Sequence, residues 1–366
     1  MELEVTQEKL SRALNNVSRI AVGRGTLPVL NNVLIRVQDN KVSLITTNLD
    51  MAVVDYLPVS TSQDGVITVP AKLLAEFISN LPKGETVKIS ANDTKVTIRA
   101  GKYTSTINGT PADDFPELPE IAEDKAVIFK IGVDEFKSGI SSVIIASSSD
   151  LTRPALTGVY FDASEGALSI AATDGYRLAT KRLINNIQSE IGVIVPSSTL
   201  QEVLRSISDD VEEVEMSFND DLVRFRLGEV EIISKLIDAS FPEYRRLIPK
   251  ETDIHTTLSR DELSRVTKLA ALFARSSSGS IVCETKSPDI FSVHSVASEL
   301  GENDSSITTA VEKEGKIILN SRFLIDAINV LSDKEITFDF STNMSPAILR
   351  NKDKDDYTHI VMPLNK

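Results

Sequence analysis

The sequence is short of the groups from which most catalytic and metal centres are built. It holds one cysteine, Cys283, in 366 residues. A lone thiol closes no intrachain disulfide, so the fold does not depend on an oxidising compartment. The three histidines, His255, His294 and His359, stand without metal-ligand spacing, and no HExxH, CxxC or Cys/His pairing occurs. No apolar run approaches the ~20 residues needed to span a bilayer, and the opening MELEVTQEKL lacks an apolar h-region. These absences predict a cytoplasmic chain with no membrane partner. The Asn-x-Ser/Thr matches at Asn16, Asn92, Asn108 and Asn303 are then chance matches to a pattern that acts only in secreted proteins.

Basic residues are also in deficit. With 39 Lys and Arg against 53 Asp and Glu, the net charge is −14. Nucleic-acid binders usually show a basic excess, because phosphates are neutralised by clustered Lys and Arg. A nucleic-acid function therefore requires either positive charge gathered on one face or retention that does not rest on tight contact. Phosphate-binding motifs are missing as well. Gly23-Arg24-Gly25 follows a helical rather than a strand pattern and lacks the third glycine of a dinucleotide fingerprint. There is no Walker A and no GxSxG. The acidic pairs Asp113-Asp114, Asp209-Asp210 and Asp220-Asp221 sit in turns between apolar runs, where they end strands and solvate loops. Asp174, in AATDGYRLA, is the acid best placed for metal chemistry, but Asp-Gly after a strand-like run is also an ordinary tight-turn signal. The sequence predicts no catalytic residues, no cofactor and no metal.

What the chain does contain is itself, three times. Leu10, Leu14, Val17 and Ala21 follow helical spacing, as do Phe136, Ile140, Val143 and Ser147, and then Leu263, Val266, Ala270 and Phe273. Ser259 and Glu262 form a capping box at the start of the third of these. Each runs into a small or polar loop: VGRGT at 22–26, SSSD at 147–150 and RSSSG at 275–279. The starts lie about 126 residues apart, beyond solenoid periods, so whole domains are repeated. A second helix recurs at Leu74, Phe77, Ile78 and Leu81, at Leu200, Val203, Leu204 and Ile207, and at Leu324, Ala327, Ile328 and Leu331. The first two of these follow Val-Pro, at Pro70 and Pro196. Alternating stretches come next: VKIS, VTIR, VEMSF, VRFRL and ITFDF read as strands with one buried and one wetted face. The fold class is α+β, with three similar domains at 1–121, 127–249 and 254–366, each of ~120 residues with two helices packed on antiparallel sheet. Linkers fall near 120–126 and 249–255.

ATDGYRLA at 172–179 closely resembles a segment of the bacterial DNA polymerase III beta subunits, the sliding clamps. Four further phrases occur in that family's order: TLPVLNNVLI at 26–35, TPADDFPEL at 110–118, SFPEYRRLIP at 240–249 and VMPL at 361–364. The resemblance spans the chain and falls in phase with the repeats. It implies the DNA clamp fold, closed by two chains head to tail into a dimer ring, with helices lining the hole. Its function would be that of a replication processivity factor, encircling duplex DNA without regard to sequence. Through a cleft between domains 2 and 3 it would tether DNA polymerase III, the clamp loader, and other polymerases and repair proteins. A ring held on DNA by topology needs only a mildly positive inner surface, which removes the objection raised by the charge.

Carried over by position, the resemblance implies a peptide cleft of Leu156, Thr173, Gly175, Tyr176, Arg177, Leu178, Pro242, Arg246, Leu247, Asn320, Phe323, Met344, Pro346, Ile360, Met362, Pro363 and Leu364. Aliphatic and Met side chains that adapt to different ligands, with a few polar groups, suit a peptide pocket. The alternative, for Leu178 and Leu247 above all, is ordinary inter-domain core. The implied DNA-contacting set is Arg24, Lys72, Arg153, Arg246 and Lys250. Arg12, Arg19, Lys137, Arg205, Arg265 and Lys268 add to it on the helices. Ring closure would use Ile107, Leu272 and Phe273, rimmed by Glu299 and Glu302. Departures from the family pattern stand at Tyr176, where the motif has His, at Ser197 and Ser198 in place of basic residues, and at Pro154-Ala155 in place of aromatics. Two rivals remain: a metal-dependent nucleic-acid enzyme built on Asp174, and a three-domain scaffold that binds peptides but not DNA.

Overall fold

In the computed structural model, which describes residues 1–21, 27–39, 41–59, 62–297 and 301–364, the helical spacings become six α-helices. These are α1 (Gln7–Ser18), α2 (Ala71–Ser79), α3 (Val133–Ile144), α4 (Ser197–Ser206), α5 (Arg260–Ala274) and α6 (Ser321–Val330). Each carries its apolar stripe inward: Leu10, Leu14, Leu74, Ile78, Phe136, Ile140, Leu200, Val203, Leu263, Ala270, Leu324 and Ile328 are all essentially inaccessible. The spacing overran five helix ends, since Ala21, Leu81, Ser147, Ile207 and Leu331 lie past Ser18, Ser79, Ile144, Ser206 and Val330. The Val-Pro signals sit one step earlier than a first helical residue. Pro70 and Pro196 are the last residues of strands Gly65–Pro70 and Ile191–Pro196, where a missing N–H costs little. The α5 capping box holds in part: Ser259 Oγ accepts from Glu262 N at 3.4 Å.

The strands pair antiparallel throughout, and two of the four sheets cross the repeat boundaries. One eight-stranded sheet runs in the order Val127–Gly132, Glu213–Phe218, Leu222–Leu227, Val230–Lys235, Met51–Pro58, Lys41–Thr47, Asn32–Gln38, Gly65–Pro70. Its middle pair joins the second repeat to the first, with Val230 opposite Asp55 and Ile232 opposite Val53. The other eight-stranded sheet runs Ile191–Pro196, Gly158–Ser164, Ala167–Thr173, Arg177–Asn185, Tyr357–Val361, Ala347–Asn351, Glu335–Phe340, Ile254–Ser259. There Leu178 lies opposite Ile360 and Lys181 opposite Tyr357, joining the second repeat to the third. A five-stranded sheet and a four-stranded sheet complete the set, and each ends in an unpaired edge: Tyr103–Asn108 in one and Gly301–Thr308 in the other.

This pairing changes how the chain divides. It forms two compact units, one of Met1–Val133 with Ser198–Leu236 and one of Asp134–Ser197 with Ile237–Lys366. The break passes through the middle repeat and not through the linkers. Ladder hydrogen bonds and shared apolar faces bind the middle repeat's strands to its neighbours, and periodicity within one strand carries no information about which other strand it meets.

In each unit a buried titratable group responds to acid, and Asp55 in the first and His359 in the second do so with opposite sign. In the first, Asp55 lies in the seam strand and accepts from Asn16 Nδ2 of α1 at 2.9 Å. Burial pushes its carboxyl up to about 6, against the hydrogen bond from Asn16 and the charge of Arg12. In the second, Tyr357 Oη donates to Ser142 O at 3.1 Å and lies 2.8 Å from His359 Nδ1. One phenol proton cannot serve both, so His359 donates through Nδ1 and leaves Nε2 an unprotonated, buried acceptor with no described partner. Burial, and then the positive charge of Arg177, pull this imidazole down to about 3.

An acid whose folded pKa is raised stabilises below its unfolded value and loses that contribution as pH rises through about 6. A histidine held neutral loses stability as pH falls from 6.5 towards about 3, because only the unfolded chain takes up the proton. Moving from pH 7 to pH 5 should therefore strengthen the Asp55 unit by about 1 kcal/mol and weaken the His359 unit by about 2 kcal/mol. Hydrogen exchange in the two seams at both pH values checks this, with Asp55→Asn and His359→Gln each expected to flatten its own unit's response.

Candidate peptide cleft and basic surface

Thr173 ends strand Ala167–Thr173 and Arg177 begins the next, so three residues make the turn. Side chains fix it locally. Thr173 Oγ1 donates to Arg177 O at 2.7 Å and accepts from Gly175 N at 3.1 Å. Asp174 Oδ1 accepts from Tyr176 N at 2.9 Å and Arg177 N at 3.0 Å. Gly175 sits at φ +92°, a left-handed conformation that a Cβ disfavours. The carboxylate of Asp174 is thus spent on the turn and on Arg177, whose Nε donates to its Oδ2 at 3.0 Å.

Arg177 then links the turn to the third repeat. Its Nη1 donates to Asp326 Oδ2 at 2.7 Å, and its guanidinium carbon stands 4.5 Å from the ring centroid of Phe323 on α6. The side chain is only 8% exposed, so the planar fork is held by two carboxylates and an aromatic face. Asn320 caps α6, accepting from Arg322 N at 2.9 Å, and so sets Phe323 one turn into the helix. The chain's last described stretch closes the site: Met362 N donates to Tyr176 O at 2.8 Å and Leu364 N to Ile318 O at 2.8 Å.

The candidate cleft residues separate into a buried floor and an exposed wall. Leu156, Thr173, Arg177, Leu178 and Ile360 are buried, and Leu178 and Ile360 belong to one cluster with Ala171, Tyr244 and Ile348. Leu178 is thus core, whereas Leu247 is 53% exposed. With Tyr176, Met344 and Met362 it offers large apolar groups to solvent. Asn320, Phe323, Pro346, Pro363 and Leu364 are half-buried, and Pro242 and Arg246 are exposed. All seventeen fall in the unit of Asp134–Ser197 and Ile237–Lys366. The segment FPEYRRL is clasped to the sheet: Phe241 stacks on Tyr160 at 4.9 Å, Tyr244 Oη donates to Asp162 Oδ2 at 3.0 Å, and Arg245 pairs with Asp162 and Glu165.

The basic residues are less uniform. Arg24 lies outside the described residues. Arg153 and Arg246 are exposed but paired, with Asp150 at 3.6 Å and Glu243 at 2.6 Å. On the helices, Arg19 donates to the buried Glu202 at 2.6 Å, Arg205 stands 3.8 Å from the same residue, and Arg12 is 3.7 Å from Asp210. Lys72, Lys137, Lys250, Arg265 and Lys268 form no ion pair among the described residues, and all but the half-buried Lys137 are exposed. Ser197, in place of a basic residue, is buried, and Ser198 is exposed. Of the ring-closure residues, Leu272 is 52% exposed, Phe273 is half-buried and Glu302 is exposed on the edge strand Gly301–Thr308. Ile107 is already covered by its own sheet, opposite Val96, and Glu299 lies outside the described residues. Sequence reasoning missed Asp326, the clasp at Tyr160 and Asp162, and His359. Asp326 stands three residues after Phe323 on one helix face, but only the fold shows that Arg177 reaches both.

A thrice-repeated, sheet-rich chain that sets exposed apolar side chains around a locked arginine belongs to the class of multi-domain binding scaffolds. Three family models for the DNA polymerase III beta subunit match in order: the N-terminal domain over residues 1–119, the central domain over 130–243 and the C-terminal domain over 245–365. The chain is 28% identical to the beta sliding clamps of Staphylococcus aureus and Staphylococcus epidermidis, over 100% of its own length and 99% of theirs. It is also similar to a solved DnaN sliding clamp of Pseudomonas aeruginosa (TM-score 0.95, 27% identity, 100% of both chains). A DNA polymerase sliding clamp of Bacillus subtilis is comparably near (TM-score 0.95, 26% identity, 100% of this chain and 99% of that one). The chain belongs to the DNA polymerase III beta subunit family, the beta sliding clamps.

The Arg177 hub has a direct consequence for stability. Arg177→Ala leaves the carboxylates of Asp174 and Asp326 facing each other without their common cation, which should cost about 3 kcal/mol or more. Urea unfolding monitored in the unit that holds the cleft would measure it, and a loss below ~1 kcal/mol would mean the pairing is only a surface one.

Proposed function

We propose that two copies of this chain close head to tail into a ring that encircles duplex DNA and carries replication proteins along it. The ring is a processivity factor and performs no chemistry of its own. Its three domains are 1–121, 127–249 and 254–366. The cleft in the second and third domains takes short peptide motifs from the DNA polymerase III catalytic subunit, the clamp loader, and other polymerases and repair proteins. The observation that carries this reading is the exposed apolar wall of Tyr176, Leu247, Met344 and Met362 set around the rigid Arg177 turn. Large adaptable side chains over a fixed floor suit a linear motif, and the Met side chains tolerate several of them.

Ring closure draws on two of the unpaired strand edges. Tyr103–Asn108 has Lys95, Arg99 and Lys102 beside it, and Gly301–Thr308 carries Glu302 and Asp304. Joining the edge of one copy to the opposite edge of the next satisfies both ladders and places unlike charges together. Leu272 and Phe273 supply the apolar centre, whereas Ile107 contributes through its strand's backbone edge because its side chain is already covered.

DNA is held by topology. Three of the helix arginines are neutralised by Glu202 and Asp210, which leaves Lys72, Lys137, Lys250, Arg265 and Lys268 for loose phosphate contact. This modest positive charge favours sliding over gripping. The same neutralisation favours the second reading, a peptide scaffold without DNA, and one assay separates them. Once loaded onto circular DNA, the protein should remain bound and leave when the circle is cut. Loss from intact and cut DNA alike would leave only the scaffold. For the cleft, Leu247→Ala and Met362→Ala should each weaken a polymerase-derived motif peptide about tenfold by calorimetry, with the fold unchanged.

A further inference from the structure

The turn that carries the cleft has a twin in the first repeat. Thr47 Oγ1 donates to Met51 O at 3.0 Å and accepts from Leu49 N at 3.0 Å, while Asn48 Oδ1 accepts from Asp50 N and Met51 N at 3.1 and 2.8 Å. Leu49 adopts φ +77°, where the other turn has Gly175 at +92°. The strands before the two turns pair in the same register, Leu34 opposite Ile45 and Tyr160 opposite Ala171. Counting back from Thr47 and Thr173 therefore matches Leu34 with Tyr160 and Arg36 with Asp162. Aligning the two FPE segments matches Leu118 with Tyr244 and Pro119 with Arg245.

Four of the groups that clasp the second segment to its sheet are thus absent from the first, although Phe115 and Asp39 stand where the second has Phe241 and Glu165. The stacked Tyr160 becomes Leu34, the phenol of Tyr244 becomes Leu118, and the Arg245 guanidinium becomes Pro119. The acid that received them, Asp162, is replaced by a base, Arg36. The physical result is an open cavity of ≈ 1280 Å³ between residues 112–123 and the sheet, lined among others by Leu34, Arg36, Tyr56, Phe115, Leu118 and Arg224. It lies wholly within the unit of Met1–Val133 and Ser198–Leu236. Arg36 is exposed and has no ion-pair partner among the described residues. Arg224 pairs with the exposed Glu123 at 3.4 Å, but its buried Nε donates to no described group.

We propose that this cavity is a second docking pocket, taking a partner's peptide segment that brings an aromatic side chain and one carboxylate. The aromatic ring replaces, from outside, the ring volume that Tyr160 and Tyr244 supply in the clasped copy, against a floor of Leu34, Ile45, Val54 and Phe115. The carboxylate answers Arg36, reversing the polarity of the Asp162 contact. Asp39, Asp113, Glu117, Glu120, Glu123 and Glu231 border the same cavity, so a segment with several acids is repelled and only one carboxylate, held at Arg36, is accepted. The pocket does not depend on ring formation or on the cleft.

Saturation-transfer NMR with the blocked peptide Ac-Ala-Phe-Asp-Ala-NH2 tests this on the full chain. The Asp peptide should bind about tenfold more tightly than its Asn analogue, and Arg36→Gln should erase that difference. Leu34→Tyr combined with Leu118→Tyr, which rebuilds the missing rings, should abolish binding, whereas Met362→Ala in the cleft should leave it unchanged. A preference for the Lys analogue, no binding to the unaltered chain, binding indifferent to Arg36→Gln, or loss with Met362→Ala would each overturn the proposal. Arg36 lies at the surface, so its replacement should not disturb folding, and circular dichroism verifies that.

Discussion

The structure depends on strand pairing across its repeat boundaries. Val230–Lys235 lies on Met51–Pro58, and Arg177–Asn185 lies on Tyr357–Val361, so that neighbouring repeats share one sheet at each boundary. A repeat of ~120 residues with two helices on a half-covered sheet would leave an unpaired edge on each side. Sharing sheets pairs those inner edges, and Tyr103–Asn108 and Gly301–Thr308 are among the edge strands left unpaired in the described residues. The seams also explain why a linker need only be a short polar connection: cohesion comes from ladder hydrogen bonds and from the apolar side chains those strands bury.

The second seam is also where the proposed cleft lies. Leu178 and Ile360 face each other across it and form part of the floor, while the turn before Arg177 and the segment after Val361 meet through Met362 N and Tyr176 O. Arg177 belongs to the second repeat, and its partners Asp326 and Phe323 belong to the third. The first seam repeats the same backbone bonds, with Lys235 N donating to Asp50 O at 2.9 Å, but carries different side chains. One scaffold thus offers two related sites of opposite polarity: one clasped by Tyr244, Arg245 and Asp162, the other left open around Arg36.

Much of this was legible in the residues. The helical stripes, the alternating strands and the period of the repeat follow from local apolar spacing, which burial must respect, and the structure returned all six helices. The helix ends were overrun at Ala21, Leu81, Ile207 and Leu331 because the chain stays buried after the helix has stopped. The seams were not legible, since alternation tells which face of a strand is buried and not which strand lies beside it. The same limit applies to the cleft. Resemblance named its residues, but the division into buried Leu178 and exposed Leu247, and the pairing of Arg177 with Asp326, needed the fold. The neutralisation of Arg12 by Asp210 and of Arg19 by Glu202 was invisible for the same reason, as these carboxylates lie nearly two hundred residues away in sequence.

The central claim, that the repeats are held together by shared sheets on which the cleft is built, is tested most directly by native-state hydrogen exchange of the seam amides. Amides of Val230–Lys235 and Tyr357–Val361 should exchange as slowly as the innermost strands of each sheet, and a motif peptide in the cleft should slow Met362 further. Seam amides that exchange as fast as those of the linkers, with repeats opening independently, would contradict it.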